Sequence, residues 1–478
     1  MNFTTPGQHK SAQAFREHLQ SLDADFDCVL ELAGPSGALA QPFEHRGRTL
    51  ANRFCIHPME GWDGTRSGLP TEHTRRRWRN FGRSGAKLIW GGEAFAVRQD
   101  GRANPGQLFL NPDEDTRATL ASLRDEVRAG HAEIGEDPDE LYIGLQLTHS
   151  GRFARPDSAL AARIACAHPV LDAKFGIDPE AALLSDAELE AIADLFVESA
   201  GHAQAAGFDF VDVKCAHGYL LHDLLGAHTR EGKYGGSFEN RTALLRRIVA
   251  GIRAKCPGLE IGVRVSLCDT FPFSPGDDRI GEARGWDADL PYRHGFGVDP
   301  EDPRQFDFDE PALLLALLEE LDITLINISL GSPYYTPHFQ RPAAYPPSDG
   351  YLPPEDPLLG VITHLRVLRQ CKAAFPNLVF VGTGYSYLQE YLPHVAEFEV
   401  AAGHVDFVGL GRMVLSYPEL PRDVLRGATL QRKRICRTFS DCTTGPRKGM
   451  LSGCFPLDPY YKALPEAARL KEIKKGLR

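Results

Sequence analysis

SDAELEAIADLFVESAGHAQAAG at residues 185–207, running directly into FDFVDVKC at 208–215 and AHGY at 216–219, is the passage that decides the fold. Its first part spaces apolar residues at helical intervals, and Ser185 three positions ahead of Glu188 is the pattern that satisfies the free N–H groups of a helix start. Its second part is short and almost continuously apolar, as a parallel strand covered on both faces should be. Its third part is polar and places Lys214, His217 and Tyr219 together at the strand end. Helix, buried strand and reactive loop follow one another in 35 residues.

The same unit recurs along the chain. Strand-like runs stand at NRFCIHPM (52–59), AKLIWGG (86–92), LYIGLQL (141–147), EIGVRVS (260–266), TLINISLG (324–331), LVFVGTG (378–384) and VDFVGLGR (405–412), which with FDFVDVKC makes eight. Helical patterns fill the intervals at 70–83, 115–132, 240–255, 309–321, 357–374 and 387–402. Parallel crossovers are right-handed, so an eightfold β-then-α series closes most economically into a barrel, with an open doubly wound sheet as the competing form. The fold class expected is α/β, a (β/α)8 TIM barrel over residues 46–425. An N-terminal extension without a decisive pattern (1–45) precedes it, and a short cysteine-containing extension (426–478) follows. Chemistry in such barrels sits at the carboxyl ends of the strands. Two Pro-, Gly- and Asp-rich excursions, at 268–308 and 332–356, lie on that face and read as lids or binding loops.

Composition narrows the function. The 478 residues are 42% hydrophobic and 24% charged, ordinary values for a folded globular chain. With 53 Lys and Arg against 64 Asp and Glu the net charge is −11, which removes the general attraction to nucleic acid and to anionic membranes. The start, MNFTTPGQHK, has no apolar core behind a basic head, and no long apolar run follows, so a cytoplasmic location is expected. Most of the ten cysteines are scattered singly, as small buried residues rather than a disulfide framework. Only Cys436, Cys442 and Cys454 cluster as ligands would.

The strand ends carry the candidate chemistry. Gly382, Thr383 and Gly384, with Gly411 and Arg412, follow the last two strands, where barrels often hold a phosphate on backbone N–H groups. The alternative is that these glycines only permit turns. GTGYSY lacks the third glycine of a dinucleotide fingerprint. Arg264 sits inside an apolar strand, and a buried guanidinium needs an anion or an electron-rich partner, whether it points into the mouth or into the helical shell. Gln146 is either a donor and acceptor for a heterocycle edge or a satisfied core amide. Lys214 and His217 can polarise a carbonyl oxygen, and a Tyr219 hydroxyl can deliver a proton to carbon. The plain alternatives are a solvated lysine, a hydrogen-bonded histidine and an aromatic packed on the rim.

Eight spaced motifs, NRF…PM (52–59), PTE (70–72), GGEA…GR (91–102), LQLTHSGR (145–152), AGFDFVDVKCAHGYLLHDLL (206–225), YGGSFENR (234–241), GVRVS (262–266) and DFVGLGR (406–412), occur in the order of a known family. From about Gln41 to Leu420 the chain resembles the old yellow enzyme group of FMN-dependent NAD(P)H:flavin oxidoreductases, especially its dienoyl-CoA reductase branch. The resemblance implies an FMN whose ring edge is held by the Pro58-Met59 backbone, Ala94, Gln146 and Arg264, and whose phosphate rests on 382–384 and on Gly411-Arg412. It implies that positions 214 and 217 bind the substrate's electron-withdrawing oxygen and that Tyr219 protonates its carbon.

The expected reaction is hydride transfer from NAD(P)H through flavin to an activated alkene or enoyl compound. The alternatives are an amine dehydrogenase or N-demethylase and, from another class, a lyase using Lys214 as a Schiff base. Two departures stand out. Lys214 replaces the family's usual histidine, and a fixed point charge favours a carboxylate, enolate or thioester oxygen, hence an acidic or acyl-thioester substrate. Glu60 replaces a small residue that tunes the flavin, and a carboxylate beside the ring would disfavour its reduced anion.

Multidomain relatives bind a [4Fe–4S] cluster through four cysteines after the barrel. Here the run reads Cys436, Phe439, Cys442, Cys454, one thiolate short. The other reading is a retained segment packed around Phe439 without metal. The nucleotide- and FAD-binding domains of those relatives do not follow before Arg478, so electrons are expected from NAD(P)H or a donor protein. A homo-oligomer is a further expectation.

Overall fold

The structure is a computed structural model that describes residues 3–348 and 350–475. Its strands are β1 (Phe43–His45), β2 (Arg48–Leu50), β3 (Phe54–Ile56), β4 (Leu88–Ile89), β5 (Ala94–Ala96), β6 (Tyr142–Thr148), β7 (Phe210–Val213), β8 (Glu260–Ser266), β9 (Ser274–Pro275), β10 (Gly281–Glu282), β11 (Leu325–Ser329), β12 (Val379–Gly382) and β13 (Phe407–Leu410). Parallel pairing runs β4-β3-β13-β12-β11-β8-β7-β6, and β6 returns to β4 through Leu88 opposite Tyr142. That last pairing closes an eight-stranded barrel and removes the open-sheet alternative. β5 continues the rim beside β6, with Ala94 opposite Gln146.

The helices fall where the periodicity puts them: Glu72–Arg83, Thr116–Glu133, Asp186–Ala205, Phe238–Lys255, Asp309–Glu320, Pro357–Ala374 and Leu392–Ala401. Ser185 caps its helix as the sequence implies. Its hydroxyl accepts from the Glu188 N–H at 3.3 Å, while Glu188 accepts from the Ser185 N–H at 2.8 Å. Two elements depart from expectation. The helix read at 387–402 begins as a 3-10 segment, Tyr385–Tyr391, kinked at Gln389, and after β13 the short helices Met413–Ser416 and Leu420–Leu425 stand in place of a full eighth helix.

The N-terminal extension is more ordered than its sequence suggests. A helix, Ala12–Leu22, buries Phe15 and Leu19, and the Phe15 ring stacks on Tyr391 at 4.4 Å. The β1–β2 hairpin crosses the expected boundary at residue 45, and its Leu50 joins the apolar cluster at the amino end of the barrel. Three-residue strands are too short to show alternation in sequence, which is why this plug was not legible.

Side-chain alternation positions the site. The barrel interior is filled by Cys55, Leu88, Trp90, Tyr142, Phe210, Leu325, Val379, Val381 and Phe407. Their neighbours Ile56, Ile89, Ile143, Val211, Ile326, Phe380 and Val408 face the helices in the larger cluster. Counting on by twos from the interior set brings His57, Gln146, Asp212 and Lys214, Asn327 and Ser329, Thr383, and Gly409 and Gly411 to the carboxyl end of the same interior. On β8 the same face carries Gly262, opposite Leu325, and two residues on Arg264.

The C-terminal extension folds back over that end. Its helices Asp441–Arg447, Pro459–Ala463 and Glu466–Lys475 enclose a small core of Met450, Phe455, Tyr461 and Leu470. Arg76 grips Asp458 with two bonds of 2.9 and 3.1 Å, and the Trp62 N–H donates to Ser452 Oγ at 2.8 Å. All ten cysteines are free thiols. Among the described residues no helix is long and apolar enough to cross a membrane.

Candidate active site

A cavity of about 580 Å³ opens at the carboxyl end of the barrel. Its floor and walls include His57–Glu60, Ala94, Gln146, Lys214, His217, Tyr219, Arg264, Thr383, Gly384, Gly411 and Arg412. The second excursion adds Tyr334, Gln340 and Arg341, the first adds Pro275, and the C-terminal extension adds Cys442, Arg447 and Ser452. The volume is that of a site for a cofactor-sized ligand.

Beneath the cavity lies Asp212, fully buried. It accepts from Gln146 Nε2 at 2.6 Å, Trp90 Nε1 at 2.8 Å and the Arg264 N–H at 2.6 Å. Burial raises its pKa, and these bonds oppose the rise. Gln146 is thus satisfied at its nitrogen by the core and still faces the cavity. Arg264 turns into the cavity and not toward the helical shell. It is 5% exposed, and among the described residues its Nη1 reaches only the Pro58 carbonyl at 3.4 Å and its Nε has no partner. Burial draws its pKa down to about 10, against the pull of Asp212.

On the loops after β12 and β13, Gly384 has φ +100°, a conformation side chains rarely adopt, and a Cβ on Gly411 would meet open space. Arg412 donates through Nη2 to the Pro342 carbonyl at 2.9 Å, while its buried Nη1 has no partner among the described residues. The Thr383 hydroxyl is committed to the Ile328 carbonyl at 2.6 Å and lies 3.1 Å from His57 Nε2, leaving its backbone for any ligand. Gly382 stands apart from the expectation, because a Cβ there would lie 2.7 Å from Leu368, in the helical shell. An orphaned guanidinium from β8 and glycine-lined loops with a second guanidinium fit a planar heterocycle joined to a phosphate. FMN has that donor and acceptor pattern.

The reactive corner is built on a strained turn after β7. His217 has φ +69° and is held by its N–H to Ser266 Oγ at 3.1 Å and by its carbonyl, which accepts from Ser332 Oγ at 2.8 Å. Its Nε2 lies 3.0 Å from Ser329 Oγ and 3.3 Å from Gln340 Nε2. Burial, then the cations Arg264 and Lys214, hold this imidazole well below its usual value, so it is neutral. Lys214, 4% exposed, sets its ammonium 3.8 Å from the centre of the Tyr219 ring. Burial draws it down to about 8 although Glu60 opposes the fall. Tyr219, 2% exposed, donates its hydroxyl to Glu60 Oε1 and lies 3.0 Å from the Tyr334 hydroxyl. Burial and then Glu60 push this phenol well above its normal range. Glu60 is therefore engaged with the tyrosine, an arrangement the sequence alone did not reveal. Asp212, two residues before Lys214 on one strand face, was accessible to an alternation argument. Tyr334 and the C-terminal wall were not.

The cysteine trio does not complete a cluster site. Cys436 and Cys454 are buried and Cys442 is half-buried on the cavity wall. Cys436 Sγ accepts from the Thr438 N–H at 3.4 Å, and half-buried Phe439, in the place of a fourth ligand, sets its ring 5.6 Å from that of Tyr345. Three thiolates stand where a [4Fe–4S] cluster needs four, so the trio does not fit that group. One other group among the described residues has ligand-like spacing, His131, Glu136 and Glu140, and the Lys87 ammonium already stands among them at 2.9, 3.1 and 2.6 Å.

The sequence model of the NADH:flavin oxidoreductase / NADH oxidase family matches residues 38–280. An NADPH dehydrogenase of Geobacillus sp. is 31% identical over 246 residues, 49% of this chain and 64% of that protein. The chain thus aligns with less than two thirds of its length. Among solved structures, a 2-naphthoyl-CoA reductase in complex with 2-naphthoyl-CoA superimposes with a TM-score of 0.65 at 18% identity, over 89% of this chain and 57% of that one. The old yellow enzyme of Pichia sp. gives 0.58 at 19%, over 85% and 92%. At such identities the structural likeness speaks for the barrel fold.

Proposed function

The chain belongs to the NADH:flavin oxidoreductase / NADH oxidase family, and from that premise we propose that it is an FMN-dependent oxidoreductase passing hydride from NAD(P)H to an activated alkene or enoyl substrate. The observation that carries the reading is Arg264, a buried guanidinium with an orphaned Nε aimed into a cavity of about 580 Å³. Such a cation is costly without an electron-rich partner.

The chemistry that bound FMN supplies is two-electron hydride exchange, first with NAD(P)H and then with substrate. Arg264, the Pro58-Met59 backbone, Ala94 and Gln146 would hold its ring. Gly384, Gly411, Arg412 and the Thr383 backbone would hold its phosphate. Lys214, cationic below about pH 8, and His217, a neutral N–H donor, polarise the substrate's oxygen from one side of the cavity. Tyr219 donates its proton to the carbon next to that oxygen's carbonyl, and Met59, Tyr334 and the C-terminal wall limit water at the reacting carbon. Because Lys214 is a point charge, the substrate class proposed is an acidic or acyl-thioester compound. The structural neighbour solved in complex with 2-naphthoyl-CoA is in keeping with the latter.

The test is a visible spectrum of the purified protein with release and identification of its flavin. Anaerobic bleaching by NADH or NADPH and reoxidation by enoyl thioesters, with amines tested in parallel, would follow. Bleaching by amines would favour the dehydrogenase alternative. Lys214, drawn to about 8, is also able to form a Schiff base, and borohydride trapping of a carbonyl ligand there would favour a lyase. A colourless protein that FMN does not reconstitute would overturn the proposal. Gel filtration in the presence and absence of a donor protein addresses oligomer and partner.

A further inference from the structure

Resting on the reading above, we propose that Glu60 is the proton relay of Tyr219, a positioning residue that returns to the buried hydroxyl the proton it gives to substrate. The argument begins with access. Tyr219 is 2% exposed, and among the described residues its oxygen meets two groups, Glu60 Oε1 and the Tyr334 hydroxyl at 3.0 Å. Lys214 does not serve that oxygen, since its ammonium lies over the ring face, 3.8 Å from the centroid. His217 is turned to Ser329 and Gln340. Tyr334, near Arg155 and Arg447, is itself pushed upward by burial and by Glu60, so it keeps its proton and acts as a donor. A carboxylate on the half-buried cavity wall is what remains to take up a proton from water and pass it inward.

The step balances. The Tyr219 O–H bond breaks and its electron pair stays on oxygen. The proton forms a C–H bond with the electron pair of the enolate left by hydride addition. A proton from water then binds Glu60 and passes to the phenolate, the O–H bond re-forms, and Glu60 is again a carboxylate. One solvent proton is consumed per turnover, and the reductant is the NAD(P)H already required. The charges agree with this sequence. Before transfer Glu60 and Lys214 neutralise each other, and after transfer the Lys214 ammonium over the ring stabilises the phenolate until the relay restores it.

The experiment uses Glu60→Gln, which keeps an oxygen to accept from Tyr219 but cannot carry a proton, and Glu60→Ala, which opens space for a small acid. In stopped flow with an enoyl acceptor, Tyr219 starts protonated in either variant. Glu60→Gln should therefore show a first turnover followed by later turnovers slowed by about 10²-fold, and acetate should restore the later turnovers of Glu60→Ala. Equal slowing of first and later turnovers without acetate rescue, or an unslowed steady state, would overturn the relay. A readout independent of turnover is the ¹⁹F titration of 3-fluorotyrosine placed at 219, whose ionisation should fall by about one pH unit or more in Glu60→Gln. An unchanged titration also overturns the proposal. Failure to bind FMN would sink the flavin reading, and the ¹⁹F titration would still decide whether Glu60 governs Tyr219.

Discussion

Replacing Arg264 with Met should move protein stability and cofactor affinity in opposite directions. The guanidinium is drawn from 12.5 to about 10, chiefly by burial. At roughly 1.4 kcal/mol per decade, this cation costs the folded protein about 3 kcal/mol. The sign follows from linkage: a base whose folded value is depressed penalises the native state fully below that value, so at pH 7 the whole cost is present. Methionine fills much of the same space without charge, and buried cations replaced by apolar residues commonly gain stability. At about 2.1 cal/mol/K per residue, 478 residues give an unfolding entropy near 1 kcal/mol/K, so the flavin-free protein should melt about 3 °C higher. FMN binding should weaken by about 10- to 100-fold, the worth of charge-assisted hydrogen bonds to one group. Differential scanning of the apoprotein and fluorescence quenching titration with FMN measure the two quantities. An apoprotein that melts lower together with an unchanged FMN affinity would refute the argument, because Arg264 would then be a satisfied structural residue.

Four further outcomes are expected. Tyr219→Phe should slow reoxidation of reduced flavin by enoyl acceptor by about 10²-fold or more while bleaching by NAD(P)H persists, and an equal loss of both half-reactions would contradict the assigned role. With Lys214 drawn to about 8, kcat/KM for an acidic substrate should be level below that pH and fall about tenfold per unit above it, and Lys214→His should move the fall to lower pH. Gly384→Ala forces a side chain to φ +100° with its Cβ 3.3 Å from His364, so it should cost about 1–2 kcal/mol in thermal melts and loosen FMN retention. Phe439→Cys supplies the fourth thiolate, so anaerobic reconstitution should load iron and sulfide into that variant beyond the parent chain.

The barrel was legible because eight buried strands and seven amphipathic helices each announce themselves within about ten residues, and their alternation leaves few closures. Arg264 was left open by the sequence between the mouth and the helical shell, and the strand register decides it. It lies two residues from Gly262 and shares its strand face, opposite Leu325 in the interior core. What stayed hidden depends on contacts between distant segments. Glu60 and Tyr219 are 159 residues apart and Arg76 and Asp458 are 382 apart, and no local period records either meeting. Gly382 was misplaced for a different reason: the GTG triplet reads as one loop, whereas its first glycine is the last residue of β12 and serves close packing against Leu368. The hairpin at 43–50 was invisible because each arm is three residues long.

The wall contributed by residues 442–453 has a consequence in time. The ribosome finishes β13 before it makes any of that wall, so the cylinder can pair its last strand while its mouth is still uncovered. Ser452 reaches the Trp62 amide across 390 positions of sequence, so a group bound in the mouth during synthesis is covered by a segment made after the cylinder. A cut between the cylinder and this late segment should leave a folded but leaky protein, one that loses its yellow colour on dilution without losing its shape.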